Sequence, residues 1–158
     1  MPRRWSVRFA VGTFNTWDGA CEALRDLRVA GVDPETLSFL GLHRTMAGAR
    51  KHSLELRLRE LTLTKVGEPV FCTAGPLADR LAERVNDGAE SLQEALDLWL
   101  VSRHAARIQE AVEDGCLMLW IQLFDAQDER RACTILLTHG SSVVEVHDLA
   151  TLPPANGE

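Results

Sequence analysis

Residues Cys116–Phe124 read CLMLWIQLF. Leu117, Leu119, Ile121 and Leu123 fall on one side of an extended chain; Cys116, Met118, Trp120 and Phe124 fall on the other, interrupted only by Gln122. Side chains of a strand alternate between two faces, so both faces of this strand are apolar. Such a strand belongs inside a sheet covered on both sides. If helices lay on one side only, Met118, Trp120 and Phe124 would form an open apolar patch of the kind monomers avoid. Two covers are available for them: helices from elsewhere in the chain, or a second copy of it.

Working outward, Asp125 or Asp128 caps a helix that ends at Gly140, and Ser142–Asp148 makes a closing strand. The same order occurs near the start. Ser6–Phe14 alternates as a strand, Thr16 or Asp18 caps a helix to about Ala30, Gly31 stops it, Asp33-Pro34 turns, and Leu37–Leu42 is a second strand. Aligning Gly31 with Gly140 sets Leu27 over Leu136 and Leu24 over Cys133. Two β-α-β units, about 6–42 and 116–148, in one sheet predict an α+β fold of ferredoxin-like arrangement with right-handed crossovers. Gly12, alone within the first strand, reads as a close helix approach or a bulge.

Residues 43–115 form an insertion. Leu54–Thr64 fits a helix through Leu54, Leu58 and Leu61, but the alternation continued by Thr62 and Thr64 favours a strand. Glu68–Cys72 is short and apolar. Pro76 opens a helix with Leu77, Leu81 and Val85 inward. Ser91 with Glu94 forms a capping box for a helix through about Leu100. Ser102 caps another, with Ala105, Ile108 and Val112 inward and Gly115 as its stop. The insertion is therefore read as mainly helical. The whole is one α+β domain over residues 1–150 with a flexible tail, 151–158.

Composition bounds the function. The chain has 158 residues, 46% hydrophobic and 25% charged, which fits an ordinary globular domain and excludes disordered and collagen-like classes. The net charge of -6 divides into +3 over residues 1–75 and -9 over residues 76–158, which argues against a nucleic-acid partner. No apolar run approaches the ~20 residues of a membrane-spanning helix. Cys21, Cys72, Cys116 and Cys133 sit in apolar runs and read as free thiols of a reducing cytosol; no signal peptide is visible, so a cytoplasmic location is expected.

The pattern VGTFNTWDGACEALRDLRVAGVDPETLSFLG, Val11–Gly41, resembles the bacterial general-stress family with a heat-induced YflT-like domain and its uncharacterised relatives. In that family a strand ending V-G-x-F precedes an amphipathic helix, a Gly turn and a second strand. Cys116–Leu149 is similar to the second unit of longer relatives. The resemblance implies bacterial origin and a stress role, and it carries no catalytic residues. Many longer relatives have a glycine-rich, membrane-seeking middle; here the middle is charged and amphipathic, which argues against membrane insertion.

No G-x-S-x-G, dinucleotide or phosphate-loop motif occurs. The histidines at 43, 52, 104, 139 and 147 lack the paired spacing of a helical metal site, and Cys72 and Cys116 lack a C-x₂₋₄-C signature, so no metal or cofactor is expected. His147-Asp148 is not an acid–base pair, because adjacent strand residues face opposite ways; His147 is expected exposed at a strand end. The stretch His43–Lys65 carries Arg44, Arg50, Lys51, Arg57, Arg59 and Lys65 against Glu55 and Glu60. It reads as a solvated face, or as a patch for an anion or for the acidic half of a second copy.

Three functions follow. The first is a non-enzymatic protein acting through protein contact, as a homodimer in which Met118, Trp120 and Phe124 meet the cover. The second is a regulatory domain that holds a small anionic ligand between sheet and insertion near Trp120. The third is an enzyme, which needs His104, His147 or a cysteine to meet a second polar group in a pocket.

Overall fold

The computed structural model describes residues 5–49, 58–61, 70–73, 75–141 and 143–151. In chain order these form β1 (Trp5–Phe14), α1 (Trp17–Val29), β2 (Leu37–Leu42), α2 (His43–Ala47), β3 (Leu58–Leu61), β4 (Val70–Thr73), α3 (Pro76–Asn86), α4 (Leu92–Leu96), α5 (Ser102–Glu113), β5 (Leu117–Leu123), α6 (Ala126–Thr138) and β6 (Val143–Thr151). The strands make one sheet in the order β3-β4-β2-β5-β1-β6. Every neighbouring pair is antiparallel. The protein is thus α+β. No helix among the described residues is long and apolar enough to cross a membrane.

The doubly apolar stretch becomes β5, which lies inside the sheet between β1 and β2. Leu117, Leu119, Ile121 and Leu123 join a core with Ala20, Ala23, Leu24 and Leu27 of α1 and Ala132 and Leu136 of α6. Met118 and Trp120 join a second core with Leu77 and Leu81 of α3, Leu92 and Leu96 of α4, and Ala105, Ile108 and Val112 of α5. The insertion's helices therefore cover Trp120, which is 0% exposed. Phe124 departs from the expectation. It lies just past the strand, where the chain turns into α6, and stands 70% exposed.

The two end units interleave. β5 lies between β1 and β2, and β1 lies between β5 and β6. Their helices end alike. Gly31 and Gly140 take φ values of +86° and +81°, a left-handed conformation that costs glycine little. Each follows its helix with the same bond pair: Val32 N–H to Leu27 O at 3.0 Å and Ser141 N–H to Leu136 O at 3.1 Å, closed by Gly31 to Arg28 O and Gly140 to Leu137 O. The starts differ. Asp125 accepts from the Asp128 amide at 2.7 Å while Asp128 accepts from the Phe124 amide at 3.1 Å, a reciprocal cap. Thr16 precedes α1 with no side-chain cap bond.

Gly12 marks a close approach. A Cβ there would lie 2.7 Å from Leu136 Cδ2 of α6, and the β1–β5 ladder runs unbroken from Arg8 to Phe14, so there is no bulge. Gly19 is tighter: a Cβ would lie 2.5 Å from the His139 carbonyl oxygen, which fixes how near α1 comes to the end of α6.

The insertion supplies the strand favoured within 54–64 and departs from its expected form in two places. With β3 and β4 added beyond β2, it extends the sheet as well as covering it. The Ser91 cap is present, with Ser91 Oγ accepting from the Glu94 amide at 3.1 Å, but α4 stops at Leu96 rather than Leu100. Trp99 and Leu100 both donate to the Leu96 carbonyl, which tightens the chain out of the helix. Helix α5 is preceded by Val101 as its cap residue; Ser102 is already helical. Of the ambiguous stretch 54–64, residues Leu58–Leu61 are the strand β3, and the rest lies outside the described residues. The tail 152–158 also lies outside them, and Thr151 closes β6.

Replacing Met118 and Trp120 together by Glu places two carboxylates under α3–α5 with no partner, so the chain should unfold rather than persist as a folded monomer, as far-ultraviolet circular dichroism will show. Gly19→Ala gains up to about 1 kcal/mol of helix propensity but meets a backbone carbonyl that cannot rotate away. Overpacking costs about 1–3 kcal/mol, so a net loss of stability is expected in urea unfolding; a gain would mean that α1 and α6 can separate freely.

Candidate functional site

Helix α5 settles on the sheet through Ala105, Ile108 and Val112, spaced three and four apart on one stripe. Its flank carries Arg107, Glu110 and Ala111, and beyond its end comes Asp114. These face a part of the sheet where β1 and β6 present Val11, Thr13, Val143 and Glu145. A cleft of about 270 Å³ lies between, closed below by Cys116 and Met118.

A polar cluster stands at one end of this cleft. Ladder register puts Glu145 opposite Val11 and His147 opposite Phe9, so both point to the α5 side. Arg107 Nη2 donates to Glu145 Oε1 at 2.7 Å, and the other carboxylate oxygen, Oε2, lies 2.7 Å from His147 Nε2. Arg107 also contacts His104 Nδ1. The His104 and His147 rings are 5.6 Å apart, and Trp120 lies 6.3 Å beyond His147. Trp120 itself meets Phe9 edge-on. Its Nε1 is buried with no hydrogen-bond partner among the described residues.

His147 corrects the sequence reading. Its side chain is 9% exposed, not at an open strand end. Burial lowers its pKa below the usual imidazole range; Glu145 opposes this, and His104 and Arg107 add to it. Burial thus disfavours the charged ring while Nε2 stays against the Glu145 carboxylate. Its neighbour Asp148 faces the other way, as alternation requires, and pairs with Arg8 at 3.3 Å.

Cys116 lines the same cleft. Burial raises the pKa of its thiol, and Asp114 raises it further. The thiol lies 3.5 Å from Asn15 Oδ1. A thiol held protonated is a poor nucleophile and a poor metal ligand. Among the described residues no three His, Cys, Asp or Glu side chains are grouped to hold a metal, and Cys72 is buried in the core.

Of the cations in the basic stretch only Arg44 has a described side chain, and it does not line this cleft. Arg44 lies exposed on α2 and reaches the Glu113 carbonyl at 3.4 Å, near the end of α5. Arg59 is on β3, opposite Cys72 in the ladder. Arg50, Lys51 and Arg57 lie outside the described residues. The cation in the cleft is instead Arg107, which the sequence reading passed over. Alternation along β6 places Glu145 and His147 on one face, but nothing local says that α5 lies above them.

His139 makes a contrasting site at the end of α6. Its ring lies 2.5 Å from Asp26 and 3.2 Å from Glu22 of α1. The bond to Asp26 raises its pKa, against a smaller opposing effect of burial. The two histidines therefore carry opposite electrostatics, set by their partners. Comparison with protein-family models, with curated proteins and with solved structures finds no match to this chain.

The two histidines should move stability with pH in opposite senses. His139 is held above its unfolded value of about 6.5, so its contribution is fully present below that pH and fades as pH rises through the raised value. Urea unfolding of His139→Gln should cost more at pH 5.5 than at pH 8.5. His147 is held below about 6.5, so folding loses stability as pH falls beneath that value, and His147→Gln should blunt this acid loss. Parallel pH profiles for the two variants would contradict the assigned surroundings.

Proposed function

We propose that this chain is a non-enzymatic, cytoplasmic regulatory module that holds a small ligand in the cleft between α5 and the sheet. The observation that carries the reading is the cleft itself. It sets Val11, Ile108, Met118 and Val143 beside a few polar groups, Arg107, Glu110, Asp114 and Glu145, the usual make-up of a small-molecule site. The order β6-β1-β5-β2 with α1 and α6 on one face supports a ferredoxin-like frame, extended by β3 and β4 and capped by the insertion. The resemblance of Val11–Gly41 to general-stress proteins fits a bacterial stress role for such a module.

The lining also revises the expected ligand. Glu110, Asp114 and Glu145 face the space with Arg107 as its cation, and Arg107 is already bound to Glu145. That balance favours a neutral or amine-bearing molecule over an anion. At about 270 Å³ the cleft falls just under the ~300 Å³ at which drug-sized sites begin, so the ligand is fragment-sized. Because Met118 and Trp120 are covered within the chain, the sheet face is not available to a partner protein, and contact through that face is set aside.

A panel of small aromatic and aliphatic amines, with matched carboxylates as controls, tests this by tryptophan fluorescence and melting temperature. A ligand present at 100 times its dissociation constant stabilises by about 2.7 kcal/mol, which is several degrees for a domain of this size. The rise should vanish in Ala111→Phe, whose ring fills the cleft. No response to any amine would refute the reading.

A further inference from the structure

One edge of the sheet is β6, nine residues long. No described strand lies beyond β6. Long free edges are templates for another strand, and chains usually blunt them with lysine, proline or a bulge. The β6 sequence, VVEVHDLAT, contains neither lysine nor proline; its two charges, Glu145 and Asp148, are already paired within the chain to Arg107 and Arg8, and its ladder with β1 runs unbroken from Trp5–Thr151 to Thr13–Val143. Val143 is exposed at this edge, and Val144 and Val146 are half-buried.

Self-pairing of β6 is constrained by symmetry. A two-fold axis normal to the sheet leaves each face on its own side, so it pairs only residues that face alike. Centred on Glu145, the pairing would set two carboxylates against each other. Centred on His147, it would set two imidazoles together and leave Glu145 opposite the buried Leu149. Centred on Val146, it sets Val146 against itself, Glu145 opposite His147 of the second copy twice, and Val144 opposite Asp148 twice, where Asp148 keeps its own Arg8. Opposite charge or donor–acceptor pairs directly across strands stabilise, and like charges destabilise.

We infer that two copies of this chain join through β6, antiparallel and centred on Val146, making one continuous sheet of twelve strands from two sheets of six. In that register His147 of the second copy stands beside Glu145, which lines the cleft under α5. Each cleft is then completed at its polar end by the other copy. The pairing rests on the edge and its residues, and it does not require a ligand.

The ligand-free full chain, studied by light scattering at micromolar concentration, should have twice the 17.5 kDa mass of one copy. Single cysteines then read the register. Paired residues of antiparallel strands have Cα atoms about 4.5–5.5 Å apart, within disulfide reach. Val146→Cys should therefore cross-link into a dimer under mild oxidation. Val144 lies four residues from its own copy in this register, about 13 Å, so Val144→Cys should cross-link no more than the parent chain. A 17.5 kDa particle would overturn the inference. So would a dimer in which Val146→Cys stays unlinked, or one in which Val144→Cys links as readily.

Discussion

Apolar side chains on both faces of β5 set the constraint that the rest of the molecule answers. A strand of this kind at an edge, or with one open face, would leave Trp120 and Met118 or the row Leu117–Leu123 in water, at about 1.5–3 kcal/mol for each large side chain. The chain places it between β1 and β2, where both ladders are made. The row Leu117, Leu119, Ile121 and Leu123 then calls for α1 and α6, and Met118 with Trp120 calls for α3, α4 and α5. The insertion is thus half of the core, not an attachment to it. It supplies the second layer without which the central strand could not be central.

The cleft is a by-product of how that second layer ends. Helix α5 has one apolar stripe, and the stripe is used up on Val11, Met118 and Trp120. Over β6 the same helix turns charged residues toward the sheet. There Glu145 mediates: it binds Arg107 with one oxygen and His147 with the other, so that a guanidinium and a nearly buried imidazole share one carboxylate. On the opposite layer His139 is also largely covered, at 16% exposed, but its two acidic partners on α1 outweigh the burial and raise its pKa. The residue type is the same at both positions, and the surroundings decide its charge.

What could be read from the chain was local. Alternation in Cys116–Phe124, the acid pair Asp125 and Asp128, and the glycines at 31 and 140 act within a few residues of themselves, and their structural counterparts stand where the pattern puts them. Phe124 misled because alternation cannot see that the strand has ended one residue earlier. Ser102 misled because a good cap residue can be displaced by one position when the extended Val101 precedes it. His147 misled for a larger reason. Period-2 spacing gives its face, but its burial comes from a helix forty residues upstream, and only tertiary packing brings the two together. The same holds for Arg107, which in sequence is one more charge on an amphipathic helix. A run of basic residues such as Arg44–Arg59 is visible in sequence, yet it carries no information on what stands opposite.

The interleaving of the two end units has a consequence for how the chain can be made. β1 and β2 are not ladder partners; each pairs with β5, whose residues come more than seventy positions after β2 begins. During synthesis the first unit therefore leaves the ribosome with its strands unjoined, and the insertion helices have only part of a sheet to rest on. Closure waits for the last third of the chain, and the loops that must close are long. Such non-local pairing slows folding and lengthens the time for which Phe9, Leu40 and Leu42 remain in water. The apparent duplication is thus not a pair of separable halves. The final product is a single cooperative sheet, and its nascent N-terminal two-thirds is the stage most in need of protection from aggregation.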